Sequence, residues 1–209
     1  IMLGADVVIH SLTKFINGSS DTVGGVYCAS QEFVDDTKNV NNGACMLLGP
    51  TMDSFRSASI LKNLRTLHIR MKKHSENAMF LAERFENDGL KVKYPGLKSH
   101  KNHELMKSMM HEEYGFGGLL TVDVGSVEKA NELMELMQTE NLGYLAVSLG
   151  FYKTLFSCSG SSTSSEIPED ERKEMGLSDG LIRFSIGLDH DIERTYQKMR
   201  ECMVKTGVL

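Results

Sequence analysis

Gly4-Ala5-Asp6-Val7-Val8-Ile9-His10-Ser11-Leu12-Thr13-Lys14-Phe15 opens the chain, followed by Asp21 and Gly24-Gly25-Val26. Val7 to Ile9 predict a short buried strand. That strand empties into two hydroxyls and an amine, on Ser11, Thr13 and Lys14. A glycine-containing turn, Asn17-Gly18-Ser19-Ser20-Asp21, leads to a second strand around Val26-Tyr27-Cys28. A lysine at the mouth of a buried strand loses solvation, which favours the neutral amine. A neutral amine condenses with an aldehyde to give a Schiff base. Ser11 and Thr13 flank Leu12, and at alternating spacing their hydroxyls can face one way and donate to a phosphate. Spacing alone leaves a second reading open, in which Lys14 is a loop lysine and the hydroxyls form the turn.

Composition narrows the classes. The 209 residues are enough for one or two domains, and 41% hydrophobic with 24% charged residues is the balance of a soluble globular protein. A net charge of −5 argues against a nucleic-acid or anionic-membrane partner. No apolar run approaches the ~20 residues of a membrane span, and no secretory leader is visible. The four cysteines, Cys28, Cys45, Cys158 and Cys202, form no CxxC pair, which fits reduced thiols in a cytoplasmic protein. The first residue is Ile1, and only one or two strands precede the turn to helix near Gln31. A parallel sheet needs more neighbours than that, joined by helices. The chain therefore reads as the C-terminal part of a longer polypeptide.

Ser30 is placed to cap a helix from Gln31 to Val40, and Asn41-Asn42-Gly43 breaks it. Leu47 to Thr51 is a second break, with Thr51 capping a helix from Met52 to Leu64. A longer helix runs from Thr66 to Asn87. Leu67, Met71, His74, Ala78, Leu81 and Phe85 recur on one face of it, which makes His74 a hydrogen-bonded core histidine rather than a ligand. Lys91 to Tyr94 alternates as a strand. His103-Glu104 is followed by Lys107 where a zinc-helix signature needs histidine, so His100, His103 and His111 are read as polar loop and helix residues. Gly117 to Val124 predicts a strong strand, and Ser126 caps a helix burying Ala130, Leu133, Met134 and Met137. Ala146 to Gly150 reads as a strand end, Ser157 to Ser165 as a flexible linker. Ile182 to Ile186 reads as a strand, and Asp191 to Lys205 as a closing helix. This order gives an α+β unit of mostly antiparallel character.

Arg183 alternates with Ile182 and Phe184. It can point to solvent, pair with a carboxylate of the chain, or clamp a ligand carboxylate bidentately.

Taken together, these stretches resemble the Cys/Met-metabolism family of pyridoxal-phosphate enzymes. The run from Gly4 to Gly25 is similar to that family's lysine motif, and Val147-Ser148-Leu149-Gly150 to its Ser-Leu-Gly element. Asp179 to Gly187 is similar to its closing arginine motif. The loop after Gly150 lacks the Thr-His of many members. With Leu47 to Met52, it resembles the plant-type branch that cleaves methionine. Phe15 stands where a tyrosine is common, so no hydroxyl role carries over there.

The resemblance implies an α/β chain of the pyridoxal-phosphate transferase fold type I, aspartate-aminotransferase-like. Residues 1–64 would complete the large cofactor domain, and 65–209, with the long helix, would form the small domain. It implies pyridoxal 5'-phosphate as cofactor and α,γ-elimination of methionine to methanethiol, 2-oxobutanoate and ammonia. Lys14 would be the catalytic Schiff-base residue, and Ser11 and Thr13 would bind the phosphate. Ser148, Leu149 and Arg183 would hold the carboxylate of a sulfur amino acid, with no metal involved. The whole protein would be a cytoplasmic homo-oligomer, a dimer of dimers, and residues 1–209 alone would be inactive. Cystathionine γ-lyase, cystathionine γ-synthase and O-acetylhomoserine sulfhydrylase activities share these motifs. An inactive structural or interaction module is the alternative of another class.

Overall fold

In the computed structural model of the chain, residues 2–158, 167, 168, 171, 174 and 178–209 are described. They fall into two compact units, Ile1–Leu67 and His68–Leu209.

In the first unit, strands β1 (Val8–Ser11) and β2 (Gly25–Cys28) pair antiparallel, with Ser11 opposite Gly25 and Val8 opposite Cys28. A π-helical turn, Leu12–Ile16, joins β1 to the glycine loop. Three helices follow: α1 (Gln31–Thr37), α2 (Ala44–Leu48) and α3 (Ser54–Leu64).

Several expectations are corrected here. The opening strand is not buried: Ile9 is 77% exposed, because among the described residues β2 is the only strand paired to it. The first helix stops at Thr37, short of Val40, although Ser30 caps it as expected, Oγ accepting from Phe33 N at 3.2 Å. Residues 44–48 are helical, and the break falls at Gly49, whose φ of 60° is the left-handed C-cap that glycine adopts without strain. Asp53, not Thr51, caps α3. Its carboxylate accepts from Phe55 N and Arg56 N, both at 3.0 Å, and these bonds lower its pKa, the Arg56 amide most.

The second unit is a five-stranded sheet covered by helices. Its strands are β3 (Lys91–Lys93), β4 (Leu119–Asp123), β5 (Tyr144–Leu145), β6 (Leu155–Cys158) and β7 (Leu181–Ser185), in the order β3-β4-β7-β6-β5. All pairs are antiparallel except β5–β6. The helices are α4 (Leu67–Asn87), α5 (His103–Met109), α6 (Val127–Thr139) and α7 (Ile192–Lys205).

Alternation in β4 explains the layering. Leu120 and Val122 are buried, while Leu119, Thr121 and Asp123 are less so. In register, Leu120 aligns with Phe184 and Phe156, and Val122 with Ile182 and Cys158. These six line one sheet face. They share a core with Ala78, Leu81, Ala82 and Phe85 of α4, Leu133 and Met137 of α6, and Met199 and Met203 of α7.

His74 lies in that interior as expected, its Nδ1 2.6 Å from the Ile186 carbonyl. His103 Nδ1 reaches the Pro95 carbonyl at 2.9 Å and its ring stacks on Phe116, while His111 stacks on Tyr114. Two further readings change. The strand expected at Ala146–Gly150 is the shorter β5, two residues earlier, and 146–150 is loop. Ser157 and Cys158 belong to buried β6 rather than to a linker, and residues 159–165 of that segment lie outside those described.

Candidate functional site

Each unit holds one of the two constellations. In the first, β1 ends at Ser11 and the chain winds at once into the π-helical turn, so Ser11 and Thr13 are not in one strand as the alternating reading requires. Ser11 is exposed at the strand end. Thr13 is anchored across the turn: its Oγ1 accepts from Gly24 N at 3.1 Å, and Leu12 N donates to the Gly24 carbonyl at 2.9 Å.

Lys14 is the kink within the turn, at φ −88° and ψ −130°. Its carbonyl accepts from Gly18 N at 2.8 Å, and Asn17 N closes onto the Leu12 carbonyl at 2.9 Å. Below it sits a polar brace that the sequence reading missed. Buried Asn17 donates to Asp21 at 2.7 Å and accepts from Asn63 Nδ2 of α3 at 2.8 Å. Asn17 and Asp21 stand four apart, which could have signalled a contact. Nothing local marks Asn63, 46 residues away.

In the second unit, Arg183 is the middle residue of β7, half-buried on the sheet face opposite the core. Its Nη2 donates to the Ser148 carbonyl at 2.8 Å, so the structure does bring Arg183 and Ser148 together. Burial lowers the guanidinium pKa from its ordinary value, though an arginine stays charged at neutral pH. Leu149 lies beside Ser148 in the half-buried loop. The loop closes at Gly150, whose φ is 75° and whose N–H donates to Ser185 Oγ at 2.9 Å. Among the described residues no three His, Cys, Asp or Glu side chains gather as a metal site, and no helix is long and apolar enough to cross a membrane.

The chain is α/β, and its family and its solved relatives put it in pyridoxal-phosphate fold type I. The chain belongs to the family of Cys/Met metabolism PLP-dependent enzymes, whose model matches residues 1–196. It is 43% identical over 204 residues to methionine gamma-lyase of Arabidopsis thaliana, covering 97% of this chain and 46% of that protein. It is 37% identical over 192 residues to cystathionine gamma-lyase of Bacillus subtilis (strain 168), covering 90% and 48%. Among solved structures it matches cystathionine gamma synthase of Xanthomonas oryzae pv. oryzae, in complex with aminoacrylate and cysteine. That match has a TM-score of 0.85 at 30% identity and covers all of this chain and 52% of that one. The chain thus spans about half the length of the curated relatives it matches.

The cofactor of this family is pyridoxal 5'-phosphate. The residues present fit it. The lysine turn offers one amine and two hydroxyls. Because Thr13 Oγ1 already accepts the Gly24 N–H, its orientation is fixed while its own proton remains to be donated, with only a 3.4 Å approach to the Gly24 carbonyl competing.

Proposed function

We propose that the protein carrying this chain is a carbon–sulfur lyase that eliminates methionine to methanethiol, 2-oxobutanoate and ammonia. The observation that carries the proposal is the braced turn at Lys14. The backbone that carries this amine is tied by Gly24, Gly18 and Asn17, which gives the lysine a defined point of departure for acting repeatedly at one atom.

Pyridoxal phosphate, when bound, supplies the electron sink that accepts charge from the substrate's Cα. The chain supplies the rest. Lys14 Nζ would hold the cofactor at its aldehyde carbon, and the same amine would take the Cα proton and move protons at Cβ. Ser11 and Thr13 donate to the phosphate. Arg183 clamps the substrate carboxylate, with the Ser148–Leu149 loop beside it. The 43% identity to a methionine gamma-lyase favours methionine over cystathionine. In this reading residues 1–64 complete the cofactor domain, 65–209 form the small domain, and the protein is a cytoplasmic homo-oligomer.

The test has two parts. Borohydride reduction of the protein with its cofactor, followed by peptide mapping, should place the pyridoxyl group on Lys14, and an adduct on another lysine would refute the assignment. Assays against methionine, cystathionine and O-acetylhomoserine should give the highest kcat/KM with methionine, and a higher value with either other substrate would move the protein to a sister activity.

A further inference from the structure

The sheet face opposite the core carries a second feature. Arg183 is in register with Thr121 on one side and Ser157 on the other, so the three side chains form one row across β4, β7 and β6. Each bears a buried polar atom with no hydrogen-bond partner among the described residues: Thr121 Oγ1, Arg183 Nε and Ser157 Oγ. Folded proteins rarely leave such groups unpaired, and adjacent orphans on three strands call for an explanation. The row is not short of chemistry, since both hydroxyls can accept and Nε–H can only donate. Directly opposed Cβ atoms lie about 4.5–5.5 Å apart, so rotation about the arginine side-chain torsions brings Nε within reach of either hydroxyl. The guanidinium instead rests on the Ser148 carbonyl through Nη2.

We infer that Thr121 and Ser157 are positioning residues for Arg183. When a ligand carboxylate arrives, Arg183 leaves the Ser148 carbonyl and Nε–H is taken by a flanking hydroxyl. The guanidinium, held at its inner nitrogen, then presents both outer nitrogens to the two carboxylate oxygens, the geometry of the bidentate pair. The Ser148 carbonyl is the resting partner and the hydroxyl row the working one. This inference rests on the reading above that Arg183 binds a substrate carboxylate, and it adds the residues that aim it.

The test uses the whole protein with its cofactor. Wild type, Thr121→Val, Ser157→Ala and the double variant are titrated calorimetrically with two ligands. Norleucine carries the amino-acid carboxylate and no sulfur to cleave, and norleucinamide carries no carboxylate. The double variant should bind norleucine roughly tenfold more weakly, about 1.4 kcal/mol, with norleucinamide binding unchanged. Thr121→Ser and Ser157→Thr keep a hydroxyl and should bind norleucine as wild type does. With a sulfur substrate, KM should rise and kcat hold, because the carboxylate contact is the same before and during reaction. If the double variant fails to fold, each single variant shows the same selective loss in smaller degree. Equal loss for both ligands, or none for norleucine, overturns the inference. Carboxylate-selective loss in a protein that releases no 2-oxobutanoate from methionine refutes the lyase reading and supports this one.

Discussion

His74 shows how a single residue ties stability to pH. Burial lowers its pKa from 6.5. The hydrogen bond to the Ile186 carbonyl opposes that shift, and the nearby Arg70 charge adds to it. A histidine with a depressed folded pKa is neutral in both states above about 6.5, so its contribution is complete there. Below 6.5 the unfolded chain takes up a proton that the folded chain resists, and stability falls until the folded pKa is reached. Urea denaturation between pH 7.5 and 5 should therefore show stability declining with acid. His74→Asn should be less stable at pH 7.5 yet flatter over that range. A variant as steep as wild type would assign the slope to other groups. Arg183 makes the complementary point for recognition. If Arg183 clamps the substrate carboxylate as proposed, Arg183→Leu removes a charge-assisted contact worth about 1.5–3 kcal/mol, roughly 10- to 150-fold in kcat/KM. The visible spectrum of the cofactor-loaded protein should be unchanged, because in the proposed reading Arg183 holds the substrate's carboxylate and no atom of the cofactor. Loss of the spectrum together with activity would place Arg183 in cofactor binding instead.

At the scale of elements, β7 is the member on which the second unit depends. Phe184 is fully buried, with the Phe85 and Phe156 rings 6.3 and 6.1 Å away, centroid to centroid. Phe184→Ala should cost about 3–5 kcal/mol in urea denaturation. Just past the strand, a Cβ on Gly187 would sit 2.6 Å from Lys153 C, Thr154 N and Tyr152 O, all backbone atoms that cannot swing aside. Gly187→Ala should therefore destabilise by about 1–3 kcal/mol, and a neutral result would mean that the 152–154 segment yields. The strongest elements were legible because their patterns are local. The alternation in β4 and the four-and-three spacing along α4 each identify a buried face without reference to a partner. The weak elements were not. β5 is two residues held by parallel pairing to β6, and no pattern two residues long can announce itself. Thr51 and Asp53 are both competent caps two positions apart, and backbone geometry chose the second.

For the whole molecule, the two units differ in what they bury. The second has a continuous core, and α4 contributes Ala78, Leu81, Ala82 and Phe85 to it, all with no exposed surface. Residues 68–209 expressed alone should therefore fold cooperatively. Residues 91–209, which keep every strand of the sheet but lack α4, should not. Circular dichroism and urea titration of the two pieces check this, and a cooperative transition in the shorter one would show that α4 is dispensable. The first unit exposes Ile9, Leu47, Leu48 and Phe55. With so little apolar surface removed from water, residues 1–67 alone should show no cooperative unfolding.

The order of the motifs marked the family, whereas the lysine behind two hydroxyls and the arginine in an apolar strand each kept a second reading until that resemblance was drawn. The residues themselves determined the long helix and the central strands, because amphipathic periodicity is a property of the local chain. Only the tertiary structure decided that Thr13 is locked to Gly24, that Asn63 braces the lysine turn from 46 residues away, and that Arg183 rests on the Ser148 carbonyl. The alignment of Thr121 and Ser157 on either side of that arginine was decided there too. Each of these depends on strand register or on a long-range hydrogen bond. Register is fixed by which partner buries the opposite face, and that choice is made across the sheet rather than along the chain.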